Sequence, residues 1–209
     1  MAQRRREEGR RAHGGGSLVK RMVNRPETLS VNNALLWGIA WLIIGAIASW
    51  HFRFVPTSMI SYTASGYVPL IWHVAIVLVV WVSFGVVFFA FGVMRNRRAA
   101  MIDLFGRMLF AHWPITLLLV PAVAMNRVAY ATFMSNPGVA YQLYPVQSTI
   151  MSVVVIFVFA WTLYWGFVAF RRATQCKGFL TFMCYIIALP LAYYLSKLAL
   201  AALYEGMSW

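Results

Sequence analysis

Few side chains in this 209-residue chain can do chemistry. Its acids are Glu7, Glu8, Glu27, Asp103 and Glu205, and its histidines are His13, His51, His73 and His112. Asp103 and Arg107 are four apart, so on a helix they share a face and pair for about 0.3–0.5 kcal/mol in water. Two readings of that junction stand side by side. Asp103 caps or neutralises the start of the apolar stretch that follows. Alternatively, Arg97, Arg98, Asp103 and Arg107 together contact a cytoplasmic partner or lipid headgroup, with Pro114 shaping the helix behind them. His73, His112 and Lys197 lie in apolar stretches, where an ionisable group is costly and marks a candidate polar site. The two histidines are expected near span ends, at the interface, with a proton relay as their sharper role. Lys197, beside Tyr193 and Tyr194, either snorkels its amine to headgroup level along its apolar stem or lines a polar path with the histidines.

Other chemistry is missing from the sequence. There is no HExxH, GxSxG elbow or Walker loop. Cys176 and Cys184 make neither a disulfide framework nor a cysteine-rich metal site. The apolar stretches hold no carboxylate, which leaves an intramembrane hydrolase, a metalloenzyme or a cation-coupled transporter little to work with. The expectation is a protein without catalysis and without a cofactor.

The elements that must position these residues are set by composition. The chain is 62% apolar and 11% charged, against roughly 45–50% and about 25% for a soluble domain. A bilayer core about 30 Å thick needs roughly 20 mostly apolar residues per helix. Five stretches qualify: about 33–50, 68–94, 108–125, 149–170 and 179–203. None alternates strictly, so the fold class is an all-α membrane helix bundle and not a β-barrel. Pro114 and Pro121 predict a kinked third span packed inside the bundle.

Lysine and arginine set the orientation. Residues 1–33, 95–107 and 171–178 carry 15 of them, whereas the alternate connections carry only Arg53 and Arg127. Positive residues stay inside, which places the N-terminus in the cytoplasm and the C-terminus outside a cytoplasmic (inner) membrane. A rival reading cuts the first span as a signal peptide after Ala48, but the basic region before it exceeds 30 residues, too long for that class. Residues 1–30 form a basic tail, disordered over 1–16. Residues 18–25 are either a short interfacial helix or a flexible topogenic segment. Residues 31–209 form the membrane domain. Tyr62, Tyr67, Tyr130, Tyr141 and Tyr144 place both outer connections on the membrane surface. Small residues at helical spacing, Ala188, Ala192, Ser196 and Ala199 with Gly45 and Ser49, mark close helix packing. The net charge of +13 suits a bilayer with anionic headgroups. A cytoplasmic or membrane protein and a second copy of the chain are the candidate protein partners. Nucleic acid is not one, since the basic tail lacks interleaved aromatics.

This layout resembles bacterial members of the Yip family, relatives of the eukaryotic Ypt/Rab-interacting membrane proteins. The resemblance rests on Asn24-Arg25-Pro26-Glu27-Thr28-Leu29 ahead of five spans. It rests also on Arg97-Arg98-x4-Asp103-Leu-Phe-Gly106-x5-His112-Trp113-Pro114, on Cys176-Lys177-Gly178 and on Leu195-Ser196-Lys197. It implies a non-enzymatic adaptor or membrane organiser acting through its basic cytoplasmic face. The alternative from the residues alone is a small transporter or channel component.

Overall fold

The computed structural model describes residues 25–58, 61–96 and 100–206. The basic segments 1–24 and 97–99, with Arg97, Arg98 and the expected interfacial stretch up to residue 24, lie outside them. A helical turn, α1 (Arg25–Thr28), precedes the first long helix, α2 (Val31–Phe52). Ser30 caps α2 by accepting the Asn33 N–H at 3.3 Å, and Arg53 ends it in the left-handed region at φ 57°. The chain then makes a hairpin, β1 (Phe54–Ser58) and β2 (Ser61–Ala64), and enters α3 (Leu70–Arg95).

The third crossing is built in pieces. Helix α4 (Met101–Ala111) gives way at His112 to a 3-10 segment, Trp113–Leu118, and then to α5 (Leu119–Ala124). Pro114 stands at the start of the 3-10 segment, where its missing N–H costs nothing. Short helices α6 (Arg127–Ser135) and α7 (Pro137–Leu143) follow, each capped by an asparagine, Asn126 and Asn136. Helices α8 (Pro145–Thr174) and α9 (Phe179–Gly206) complete the chain.

Five of these helical runs are long and apolar enough to cross a membrane, and the protein is a multi-pass membrane protein with an all-α core. The third run is the central one: 65% of its apolar window is buried, against 22–39% for the other four. It packs on α2 and α8, while α9 packs chiefly on α3 and only sparsely on α8. At the α2 crossing, a Cβ on Gly106 would stand 3.0 Å from the Leu35 backbone nitrogen, so only glycine permits the two backbones to come this close. On α9, Ala188, Ala192 and Ser196 are fully buried, as a packing ladder should be.

The connection between α2 and α3 is anchored to the bundle. Phe54, Val55 and Ser58 are buried, and the hairpin is held to the bundle on two sides. The Nε2–H of His73 donates to the Phe54 carbonyl at 3.1 Å. The Tyr130 hydroxyl donates to the Tyr62 carbonyl at 3.2 Å, with the Phe54 and Tyr130 rings edge to face. Burial pushes the Tyr130 phenol up to about 12. It also holds Tyr62 above its ordinary value, with Tyr130 beside it acting in the same direction.

Candidate intramembrane site

The break in the third crossing puts an imidazole in the middle of the bundle. His112 is 2% exposed and sits between α4 and the 3-10 segment, halfway along the crossing. It is therefore an interior residue, where an interfacial one was expected. Trp81 and Phe84 from α3 meet its ring edge-on, with centroids at 5.3 and 4.3 Å. Neither ring nitrogen reaches a hydrogen-bond partner among the described residues. The Met108 carbonyl is close enough to act on the ring, but it already accepts the His112 backbone N–H. A neutral imidazole has one donor and one acceptor. Even if that carbonyl took the donor, the second nitrogen would stay unsatisfied. A buried polar group in that state costs about 1–3 kcal/mol, and such a cost persists most often where the group has work to do.

Two cavities meet at His112. One, of about 40 Å³, lies under the hairpin among Trp41, Gly45, Tyr62, Trp81 and Trp113. By the roughly 10–15 Å³ that one water needs, it is too small for a larger ligand. The other is a groove of about 370 Å³ between α8 and α9. Phe159, Thr162 and Leu163 form one wall, Leu189, Pro190, Tyr193 and Tyr194 the other, and His112 the floor. The Tyr185 hydroxyl of α9 donates to the Leu163 carbonyl of α8 at 2.9 Å, and the groove opens beyond that contact, where α9 packs chiefly on α3. The proline inside α9 lies in its wall, where it has no N–H to give the preceding turn. The Thr162 hydroxyl gives its hydrogen to the Val158 carbonyl at 2.8 Å and keeps lone pairs free. The lining is otherwise apolar or phenolic.

Tyr193 belongs also to a larger, open pocket of about 940 Å³ at the hairpin end, lined by Thr63, Arg127, Thr132, Ser135 and Lys197. The Lys197 amine lies over the Tyr193 ring, 5.0 Å from its centroid, and is exposed. The Arg127 guanidinium donates one bond, to the Phe52 carbonyl at 3.4 Å. Thus His112 and Lys197 are joined through Tyr193. His73 is not part of this set: its ring serves the hairpin, and its Nδ1 has no partner among the described residues.

Of the junction residues, Asp103 and Arg107 sit at the opposite end, and Arg107 faces inward. Arg107 is 4% exposed. Its Nε donates to Asp103 at 2.5 Å, and its Nη1 donates to the carbonyls of Pro26 and Leu29 at 2.7 and 2.8 Å. The pair expected from spacing is present, but it pins the segment before α2 to the third crossing. Pro114 is buried behind it. Arg171 and Glu27 make a second, half-exposed link at 3.3 Å. Sequence reasoning noted Tyr193 and Lys197 together. It counted Arg127 only as a topology charge and did not foresee the groove.

The fold and the site define a class, a five-helix membrane bundle with an intramembrane groove floored by an unpaired histidine. No family model, no curated protein and no solved structure matches this chain.

Proposed function

We propose that the protein is a non-enzymatic membrane component of the transporter type, which takes an amphiphilic molecule of the bilayer into the groove between α8 and α9. The observation that carries this reading is His112, a buried polar group without a partner among the described residues, at the floor of a groove of about 370 Å³ that is wide enough for a ligand. Sites of this kind are concave and mostly apolar, with a few polar groups to orient the ligand. The acids among the described residues are Glu27, Asp103 and Glu205, all at helix ends, so no carboxylate stands near His112 for acid–base work. The resemblance to Yip proteins supports a role without catalysis, and the 15-to-2 distribution of basic residues supports the hairpin end facing out of a cytoplasmic membrane. The adaptor reading rests on the same resemblance and on the basic segments. Its contact would fall to residues 1–24 and 97–99, because Arg107 is spent inside the bundle.

The test is photolabelling in liposomes with diazirine-bearing phospholipids, mapped by mass spectrometry of the peptides. Labelling should concentrate on residues 159–163 and 189–194 and be lost in Leu189→Trp, which fills the groove. It should survive Leu36→Trp, on the exposed face of α2. Labels spread evenly over all outward faces, unchanged by Leu189→Trp, would refute the reading.

A further inference from the structure

Resting on that reading, we infer that the amphiphile is an anionic phospholipid, its phosphate held by Lys197 and Arg127 at the hairpin end and an acyl chain laid along the α8–α9 groove toward His112. Three observations converge on it. The first is continuity: Tyr193 forms part of both the apolar groove and the polar pocket, so the two are one surface. The second is charge. Both ionisable cations of the pocket are unneutralised, since no carboxylate lines it. Neither of them makes an ion pair among the described residues, where the two salt bridges lie at the far end. Glu205 is the single described acid at this end, eight residues beyond Lys197 on α9, about 12 Å along the axis. The hydroxyls of Thr63, Thr132 and Ser135 stand in the same wall, as donors and acceptors suited to a phosphate diester and its glycerol.

The third observation is length. Lys197 also lies eight residues beyond Leu189, about 12 Å up the same helix. Half of a hydrocarbon core about 30 Å thick is about 15 Å. A headgroup at Lys197 therefore leaves its chain beside Leu189 and Pro190 in the groove wall. The Tyr193 ring holds the ammonium at the mouth by a cation–π contact, so the charge is positioned before a ligand arrives. Lys197 on this account neither merely snorkels nor lines an aqueous path; it presents its charge to a lipid of the leaflet that borders the hairpin end.

The experiment uses the full chain in phosphatidylcholine vesicles carrying a trace of diazirine-phosphatidylglycerol or diazirine-phosphatidylcholine, with labelling of residues 159–163 and 189–194 as readout. With about 1 kcal/mol per cation near an anionic headgroup, the wild type should prefer phosphatidylglycerol about tenfold or more. The double variant Lys197→Gln/Arg127→Gln should fall to no preference, Lys197→Arg should keep it, and Arg53→Gln, a cation outside the pocket, should change nothing. Unfolding of each variant is followed in detergent, and Lys197→Arg keeps the test valid if the double variant is unstable. Equal labelling of the groove by both lipids in the wild type overturns the headgroup assignment and leaves the groove standing. Labelling of the groove by neither lipid overturns the groove itself. A preference kept by the double variant overturns Lys197 and Arg127 as the headgroup site, and one abolished by millimolar inorganic phosphate overturns the phospholipid as the ligand of that site.

Discussion

Removing the Arg107 guanidinium should cost this protein far more than removing that of Arg171, although both form one ion pair. Arg107 makes three charge-assisted hydrogen bonds, to Asp103 and to the carbonyls of Pro26 and Leu29. Its side chain is 5% exposed and that of Asp103 is 19% exposed. Arg107→Met keeps the apolar stem but leaves a carboxylate without its counter-charge and two carbonyls without a donor. Breaking a buried pair on one side costs about 3–5 kcal/mol, most of it from the groups left behind. Arg171 and Glu27 are 38% and 36% exposed and 3.3 Å apart, so water and ions screen them. Arg171→Met should cost about 0–1 kcal/mol. Asp103→Asn keeps an acceptor for Arg107 and both carbonyl bonds, and should fall between, at about 1–3 kcal/mol. Unfolding by SDS titration in mixed micelles, followed by tryptophan fluorescence, reads the order directly. If Arg107→Met proves as mild as Arg171→Met, the pin between the segment before α2 and the third crossing does not exist in the membrane.

Other outcomes follow from the same geometry. His112→Phe replaces an unsatisfied imidazole with a ring of similar shape and should leave stability equal or raised, while groove photolabelling falls; a loss of more than about 2 kcal/mol in the same titration would show that His112 has a partner. Gly106→Ala drives a methyl against the Leu35 backbone and should cost about 1–3 kcal/mol, whereas Gly66→Ala, with open space around it, should stay within about 0.5 kcal/mol. Tyr130→Phe loses one hydrogen bond to the hairpin, about 0.5–1.5 kcal/mol at neutral pH. Its pH dependence has a definite sign. Both Tyr62 and Tyr130 ionise later in the folded protein than the ordinary value of about 10. Their contribution is therefore whole below pH 10 and is lost as the pH rises from there towards the value of about 12 for Tyr130. Stability measured from pH 9 to 12 should fall less steeply in Tyr130→Phe than in the wild type, and parallel curves would contradict the assignment.

Much of the architecture was legible in the sequence, because length and hydropathy alone separate membrane helices from everything else. The five spans fall where the apolar stretches do, and the proline in the third crossing breaks it at Pro114 as expected. The start of that crossing was placed at 108, seven residues late, for a physical reason. Arg107 reads as a charge that ends a span, whereas Asp103 neutralises it and two carbonyls accept its hydrogen bonds within the bundle. The hairpin was not legible: Phe54–Ser58 is five residues with a proline in the middle, too short for alternation to show. Its stability comes from His73 and Tyr130, distant in sequence. His112 was recognised as a residue of interest from its type, but its depth follows from the third crossing beginning a turn and more earlier than the hydropathy suggests. Arg127 and Lys197 are 70 residues apart, and only the folded bundle brings them to one pocket. Hydropathy reads the spans; the site depends on where α8 and α9 part beyond Tyr185, which no single stretch encodes.

The most direct test of the central claim is an electron cryomicroscopy map of the full chain in a lipid nanodisc. The account predicts elongated density along the groove from Lys197 and Tyr193 down past Pro190 to His112, stronger than any lipid density on the exposed faces of α2 and α3. A groove closed by α8 and α9 meeting side by side, or ordered lipid on every face except this one, would contradict it.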